Sequence, residues 1–259
     1  MTARIYTIET CKPAYQLNWA LSLFWHVPVA NAAWLPELQA ATEADGVRVL
    51  EHRFIKPGVS QVLVSTQPHV APQRVVWSVK GRLQHLVRGE HPKAFRRNCS
   101  LRSVGSASRE VIERYIAGQV DHHPMADPRV QERLQGYQIH NPEVGLSAGR
   151  QNAHALYWYN LQVCFVNDGR WREIRHEVLA GMRDMIMRAA GKKGHLPSRG
   201  GIVADHVHLA LGCNLDESPA QVALSYMNNL AYACGQKRVF ALGFYVGMFG
   251  EYDLGVTWL

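Results

Sequence analysis

Two pairs of residues, far apart in the chain, have types and spacings that can do chemistry. Residues 202–211 read as a strand, with His206 and His208 two positions apart. Successive strand side chains point to opposite faces, so the two imidazoles share one face while Val203, Val207, Leu209 and Leu211 take the other. Imidazoles side by side on a sheet make a bidentate platform for metal or phosphate chemistry; the alternative is a pair of structural histidines. Asp205 falls on the opposite face, which makes it a weak ligand candidate. Residues 111–119 read as a helix, and Tyr115 and Gln119, at i and i+4, are neighbours on its surface. Alone, that is also the pattern of an amphipathic helix with a partly buried tyrosine. Combined, the pairs say more. The Gln119 amide oxygen completes a His-His-Gln donor set that suits magnesium or manganese better than a closed zinc site. Such a cation acts as a Lewis acid on a phosphate. Tyr115 is then the candidate nucleophile, a phenol with an ordinary pKa near ~10 that needs a nearby cation to ionise.

The elements that must position these residues repeat. Tyr15-Gln16-Leu17-Asn18-Trp19-Ala20-Leu21 matches Tyr157-Trp158-Tyr159-Asn160-Leu161-Gln162-Val163, both strand-like with a shared asparagine. A helix comes after each: residues 35–44, closing at Gly46, and residues 173–190, ending in Gly191-Lys192-Lys193-Gly194. Val59-Ser60-Gln61-Val62-Leu63-Val64 then aligns without gaps against His206-Val207-His208-Leu209-Ala210-Leu211. The register continues through Pro72 and Pro219, each starting a helix. Residues 95–105 match 240–250. Thereafter the first half runs into the Tyr115 helix, and the second ends at Leu259 with no equivalent expected. Each half reads β-α-β-α-β. The fold class is therefore α+β, two tandem ferredoxin-like domains. Residues 1–125 hold the tyrosine helix without the histidines, residues 148–259 hold the histidines, and the proline-containing stretch 126–147 is the linker.

The 259 residues are 47% hydrophobic and 19% charged, which excludes a disordered chain. The net charge of +7 favours polyanionic partners. Nine basic residues against three acidic ones lie between Lys80 and Arg114. In that stretch Lys80, Arg82, Arg88, Arg96, Arg97 and Arg102 are the candidate phosphate contacts, a solvated helix face being the bland alternative. Trp77, Trp158 and Tyr159 are placed either to stack on bases or to fill the core. Five scattered cysteines without C-x-x-C spacing point to free thiols in a reducing compartment. No apolar run reaches the roughly 18–20 residues of a membrane span, and the N-terminus lacks a signal-peptide layout, so a soluble intracellular protein without a membrane partner is expected.

The strand Val203-Ala204-Asp205-His206-Val207-His208-Leu209 and the helix Ile112-Glu113-Arg114-Tyr115-Ile116-Ala117-Gly118-Gln119 together resemble the single-tyrosine HUH transposases, including the relatives associated with repetitive palindromic elements. Residues 244–250 and 101–105 both look like the segment preceding that family's tyrosine helix. The resemblance implies HUH nuclease domains and a single-stranded DNA endonuclease and strand transferase. Tyr115 would form a 5′-phosphotyrosine intermediate, and His206, His208 and Gln119 would hold Mg or Mn. It also implies single-stranded or hairpin DNA as partner, a role in DNA transposition and recombination, and a cytoplasmic, nucleoid-associated location in a prokaryotic cell. Family members are homodimers in which one subunit's tyrosine helix serves its partner's histidines. This chain departs from that: Val59 and Gln61 stand where the first half should have histidines. A fused, monomeric pseudo-dimer with one composite site is the expectation. The other readings are a domesticated hairpin-binding protein that does not cleave, and a ferredoxin-like regulator with structural histidines.

Overall fold

The structure, a computed structural model, describes residues 4–235 and 238–250. In chain order the first elements are β1 (Lys12–Gln16), β2 (Asn18–Trp25), α1 (Leu35–Glu43), β3 (Val47–Lys56), β4 (Val59–Thr66), α2 (Pro72–Val87) and β5 (Phe95–Val104). A middle group comes next: α3 (Arg109–Ala117), α4 (Gln119–His122), α5 (Pro128–Gln135) and β6 (Ile139–His140). The last are β7 (Arg150–Gln151), β8 (Ala155–Trp158), β9 (Asn160–Val166), α6 (His176–Lys193), β10 (Leu196–Ile202), β11 (His206–Gly212), α7 (Pro219–Ala233) and β12 (Gly243–Met248). They form a mixed α+β architecture with two six-stranded sheets, β3-β4-β2-β5-β8-β7 and β1-β12-β9-β11-β10-β6.

The inner strands take one order in both sheets. In the first, β2 lies between β4 and β5; in the second, β9 lies between β11 and β12. The registers also agree. Ser22 pairs with Gln61 and with Ser100, and Cys164 pairs with His208 and with Tyr245. Each sheet borrows a strand from the other half of the chain. β1 runs parallel to β12, and β8 runs parallel to β5. Both borrowed strands directly precede the central strand of their own half, so the exchange is reciprocal. Where the two halves meet, Gly105 N donates to Gly250 O at 3.0 Å. A Cβ on Gly105 would stand 2.1 Å from the Met248 carbonyl oxygen, so only glycine fits this contact.

One face of each sheet is apolar and carries helices. Leu21, Leu23, Val62 and Val64 meet Val75, Val79 and Leu83 of α2. Leu161, Val163, Phe165, Val207, Leu209 and Leu211 meet Leu179, Met182 and Ile186 of α6 and Val222 and Met227 of α7. Burying each such side chain contributes about 1.5–3 kcal/mol. The helix starts obey local rules. Pro72 and Pro219 both occupy the first turn, where the missing N–H costs nothing. Ser218 and Gln221 form a reciprocal capping box with bonds of 3.2 and 2.8 Å.

Three expectations change. Residues 126–147 are not loose chain: α5 buries Val130 and Leu134, and β6 pairs with β10 as an edge of the second sheet. Pro128, a linker signal by composition, is the first residue of α5, whose cap Asp127 accepts from Arg129 N at 2.9 Å. Residues 202–211 are not one strand, because β10 ends at Ile202 and the chain turns through residues 203–205 before β11 starts at His206. Gln119 does not continue the Tyr115 helix; α3 ends at Ala117 and Gln119 opens α4 beyond Gly118. Glu251–Leu259, with Tyr252 and the expected missing helix, lie outside the described residues. Among the described residues no helix is long and apolar enough to cross a membrane.

Candidate active site

β11 delivers the histidine pair. Val207, Leu209 and Leu211 anchor one face in the core, which turns His206 and His208 to the other; each is 6% exposed. That face is roofed by α3. Ile112 and Ile116 pack on Ala210, Leu146 and Phe249, so α3, which comes after β5 in sequence, lies on the second sheet against β10 and β11. Ser108 caps its start, accepting from Val111 N at 3.4 Å. The close approach depends on Gly201 of β10. A Cβ there would stand 2.8 Å from Gln119 Cγ and 3.2 Å from the Ile116 carbonyl oxygen.

The result brings both pairs together. The Tyr115 ring lies 5.5 Å from the His208 ring, edge to face at 80°. Tyr115 is 46% exposed, so its hydroxyl belongs to a side chain that solvent reaches. Gln119 is fully buried. Its Nε2 donates to the Tyr115 carbonyl at 3.2 Å, which aims Oε1 at His206 Nε2, 2.8 Å away. His206 Nδ1 lies 2.9 Å from Asp205 Oδ1, and Arg170 Nη1 lies 3.5 Å from Asp205 Oδ2. Burial would raise the Asp205 carboxyl, but the hydrogen bond and charge of His206, with His123 and Arg170 behind it, hold it below its ordinary value.

The electrostatics set up a conflict. Burial pushes His206 below the usual imidazole range, against the pull of Asp205. Burial, with His206 beside it, lowers His208 to about 4. A neutral imidazole carries one N–H. His206 nonetheless faces two acceptors, the Asp205 carboxylate and the Gln119 carbonyl oxygen. With the proton on Nδ1 towards Asp205, the Nε2 lone pair points at another lone pair. The buried His208 Nε2 has no hydrogen-bond partner. With the His206 proton on Nδ1 towards Asp205, His206 Nε2 and Gln119 Oε1, with His208 Nε2 when it is unprotonated, form a donor set that could hold a divalent cation. Among the described residues no group of three or more His, Cys, Asp or Glu side chains is placed to hold a metal ion.

The predicted phosphate contacts divide. Lys80 Nζ donates to the Arg96 and Arg97 carbonyls at 2.6 and 2.8 Å. Arg82 grips Asp45 through two bonds of 2.8 and 3.0 Å. The Arg102 guanidinium sits 4.3 Å from the Trp158 ring centroid. These three are tied to intramolecular partners. Arg88, Arg96 and Arg97 are exposed, but they flank the first sheet. Arg96 lies seven residues up β5 from Ser103, roughly 23 Å at about 3.3 Å per residue. Of the aromatics, Trp77 is 59% exposed on α2 and Tyr159 is core, its ring tilted against that of Trp19 at 5.0 Å.

Four residues beside the site escape a reading of the sequence. Asp205 falls on the wrong face when the turn is taken for strand. His123 stacks edge to face 4.8 Å from His206, and the His122 ring lies 6.0 Å from that of Tyr115. The adjacent histidine pair three residues beyond Gln119 is the available signal, obscured by the prolines that make the neighbouring stretch look like a linker. Cys164, beside His208 in register, shares its face and is raised to about 11 by burial.

No family model matches the sequence, and no curated protein matches it. Among solved structures the chain is similar to a protein assigned as a glycine cleavage system transcriptional repressor. The two are 9% identical over 91% of this chain and 98% of the other, with a TM-score of 0.23. A likeness of that size carries no argument about fold or function.

Proposed function

We propose that this chain is a metal-dependent single-stranded DNA endonuclease and strand transferase of the HUH type. The observation that carries the reading is the meeting of Tyr115 and Gln119 with His206 and His208, residues about ninety positions apart. Tyr115 Oη attacks the scissile phosphorus and releases its proton to solvent. A bond forms between Oη and phosphorus, the bond from phosphorus to the 3′ oxygen breaks, and the departing oxygen takes a proton to become a free 3′-OH. The 5′ end stays on the tyrosine as a phosphodiester. His206, His208 and Gln119 are the residues that would hold magnesium or manganese, which when bound supplies Lewis acidity at the scissile phosphate. Asp205 orients His206, and the Tyr115 carbonyl orients Gln119, so the nucleophile and the amide donor are tied to one backbone segment.

The same reading accounts for the architecture. Matching strand orders, matching registers and the reciprocal exchange of β1 and β8 support two fused ferredoxin-like units, a pseudo-dimer within one chain. The tyrosine helix of the first unit serves the second. In the first unit the positions of the pair are Val59 and Gln61, both buried.

The test is covalent trapping. In magnesium or manganese the chain should form a denaturation-resistant adduct with labelled single-stranded or hairpin DNA, and Tyr115→Phe should form none. An adduct that survives Tyr115→Phe overturns the assignment and passes suspicion to Tyr245. A chain that binds hairpins yet never forms an adduct would be the non-cleaving binding protein instead.

A further inference from the structure

Resting on the proposed DNA-processing site, a second feature bears on the path of the strand. The loop between β9 and α6 contains Asp168-Gly169-Arg170-Trp171-Arg172-Glu173-Ile174-Arg175. It is bound to the turn that precedes His206. Asn167 N donates to the Asp205 carbonyl at 2.8 Å, Asn167 Nδ2 to the Ala204 and Trp171 carbonyls at 2.9 Å each, and Glu173 N to the Ala204 carbonyl at 2.7 Å. Arg170, the one non-glycine residue with positive φ among those described (56°), reaches back to Asp205.

This framework holds a large ring in solvent. Trp171 is 45% exposed; the Arg175 guanidinium, 6.0 Å from its ring, is bound to the Glu173 carboxylate. Arg172 is exposed and has no ion-pair partner among the described residues. It lines a cleft of about 160 Å³ with His122, His123, Ala204 and Asp205. An exposed indole next to the unpaired Arg172, whose cleft reaches His123 and Asp205, matches what single strands require: a π-face for an unpaired base and a cation for a flanking phosphate. Duplex DNA offers no free base face. The basic run on the first sheet has lost Lys80, Arg82 and Arg102 to internal partners and holds no such ring beside the site.

We infer that residues 170–175 form a single-strand binding loop, in which Trp171 stacks on an unpaired base next to the scissile position and Arg172 contacts a flanking phosphate. The test is fluorescence anisotropy with a labelled mixed-sequence single strand, its duplex and a hairpin with a single-stranded flank, using the full chain. Trp171→Ala should weaken single-strand binding about tenfold and leave duplex binding nearly unchanged, with Trp171→Phe restoring most of the loss. Arg172→Ala should make the logarithmic salt slope for single strands shallower by about 0.7. Paired replacement of Arg96 and Arg97 by Ala should do less than either. Full single-strand affinity in Trp171→Ala overturns the inference. So does a change in oligomeric state with Trp171→Ala, which would make the loop a protein interface, and so does a wild-type chain with no affinity for single strands. Trp171-dependent binding without any adduct upholds the loop and removes the cleavage reading instead, so the two fail separately.

Discussion

The two sheets place the same backbone positions in very different company. On the second sheet, the face of β11 turned away from the core carries His206 and His208 beneath α3, beside an aspartate-bearing turn and an arginine-tryptophan loop. On the first sheet, the matching positions of β4 carry Val59 and Gln61, in the same register to β2 that the histidines hold to β9. α3 begins a few residues after β5 of the first sheet but packs on the second. A scaffold that could host two sites therefore has chemistry-bearing side chains at one of them. Strand order alone does not build a site; which element crosses the seam, and what it meets there, does.

The largest expected effects separate the two faces directly. Tyr115→Phe and His208→Ala should each abolish the DNA adduct, a loss beyond about a thousandfold given what a missing nucleophile or Lewis acid costs. Gln61→Leu, at the position matching His208, should leave it in place. An adduct lost equally in Gln61→Leu at unchanged stability would mean that both faces serve the reaction. Next in size is Asp205→Asn. Losing the carboxylate behind His206 should weaken Mn²⁺ binding about 10–100-fold by calorimetry, while zero change would detach Asp205 from the site.

Smaller effects probe packing. Gly201→Val drives a side chain into Gln119 and the Ile116 carbonyl. It should cost about 1–3 kcal/mol in denaturant unfolding and weaken adduct formation; full stability would show that α3 and α4 sit less tightly on β10 than described. The ion pairs offer a last comparison. Glu217 is held at about 2, below 4.5, first by its hydrogen bond from His195, whose side chain is fully buried, and also by Lys193. A depressed carboxyl stabilises the fold fully above about pH 4.5 and loses that contribution as pH falls towards 2. Glu217→Gln should thus cost about 1.5–3 kcal/mol at about pH 7, and the difference from wild type should shrink through that window. Asp45, also held at about 2, pairs with a more exposed partner, Arg82, and Asp45→Asn should cost no more than about 1 kcal/mol. Equal costs would erase the distinction between the two pairs.

Much of this is legible in the chain itself. The period-two placement of His206 and His208 fixes their common face, because alternation is a property of any strand. The i, i+4 spacing keeps Tyr115 and Gln119 adjacent even across the break at Gly118, because α4 continues the turn closely enough. The gapless match through Pro72 and Pro219 anticipates the equal strand registers, since proline at a helix start is a local preference. Tertiary structure alone decides the rest. That α3 roofs the other half's sheet depends on Gly201 and Gly105 leaving room for backbone contact, which no periodicity encodes. The role of Asp205 depends on a turn that re-aims its side chain. Charge along the sequence cannot show that Lys80, Arg82 and Arg102 are occupied by carbonyls, a carboxylate and an indole. The arginines beside the site lie in a loop brought there by hydrogen bonds between segments more than thirty residues apart.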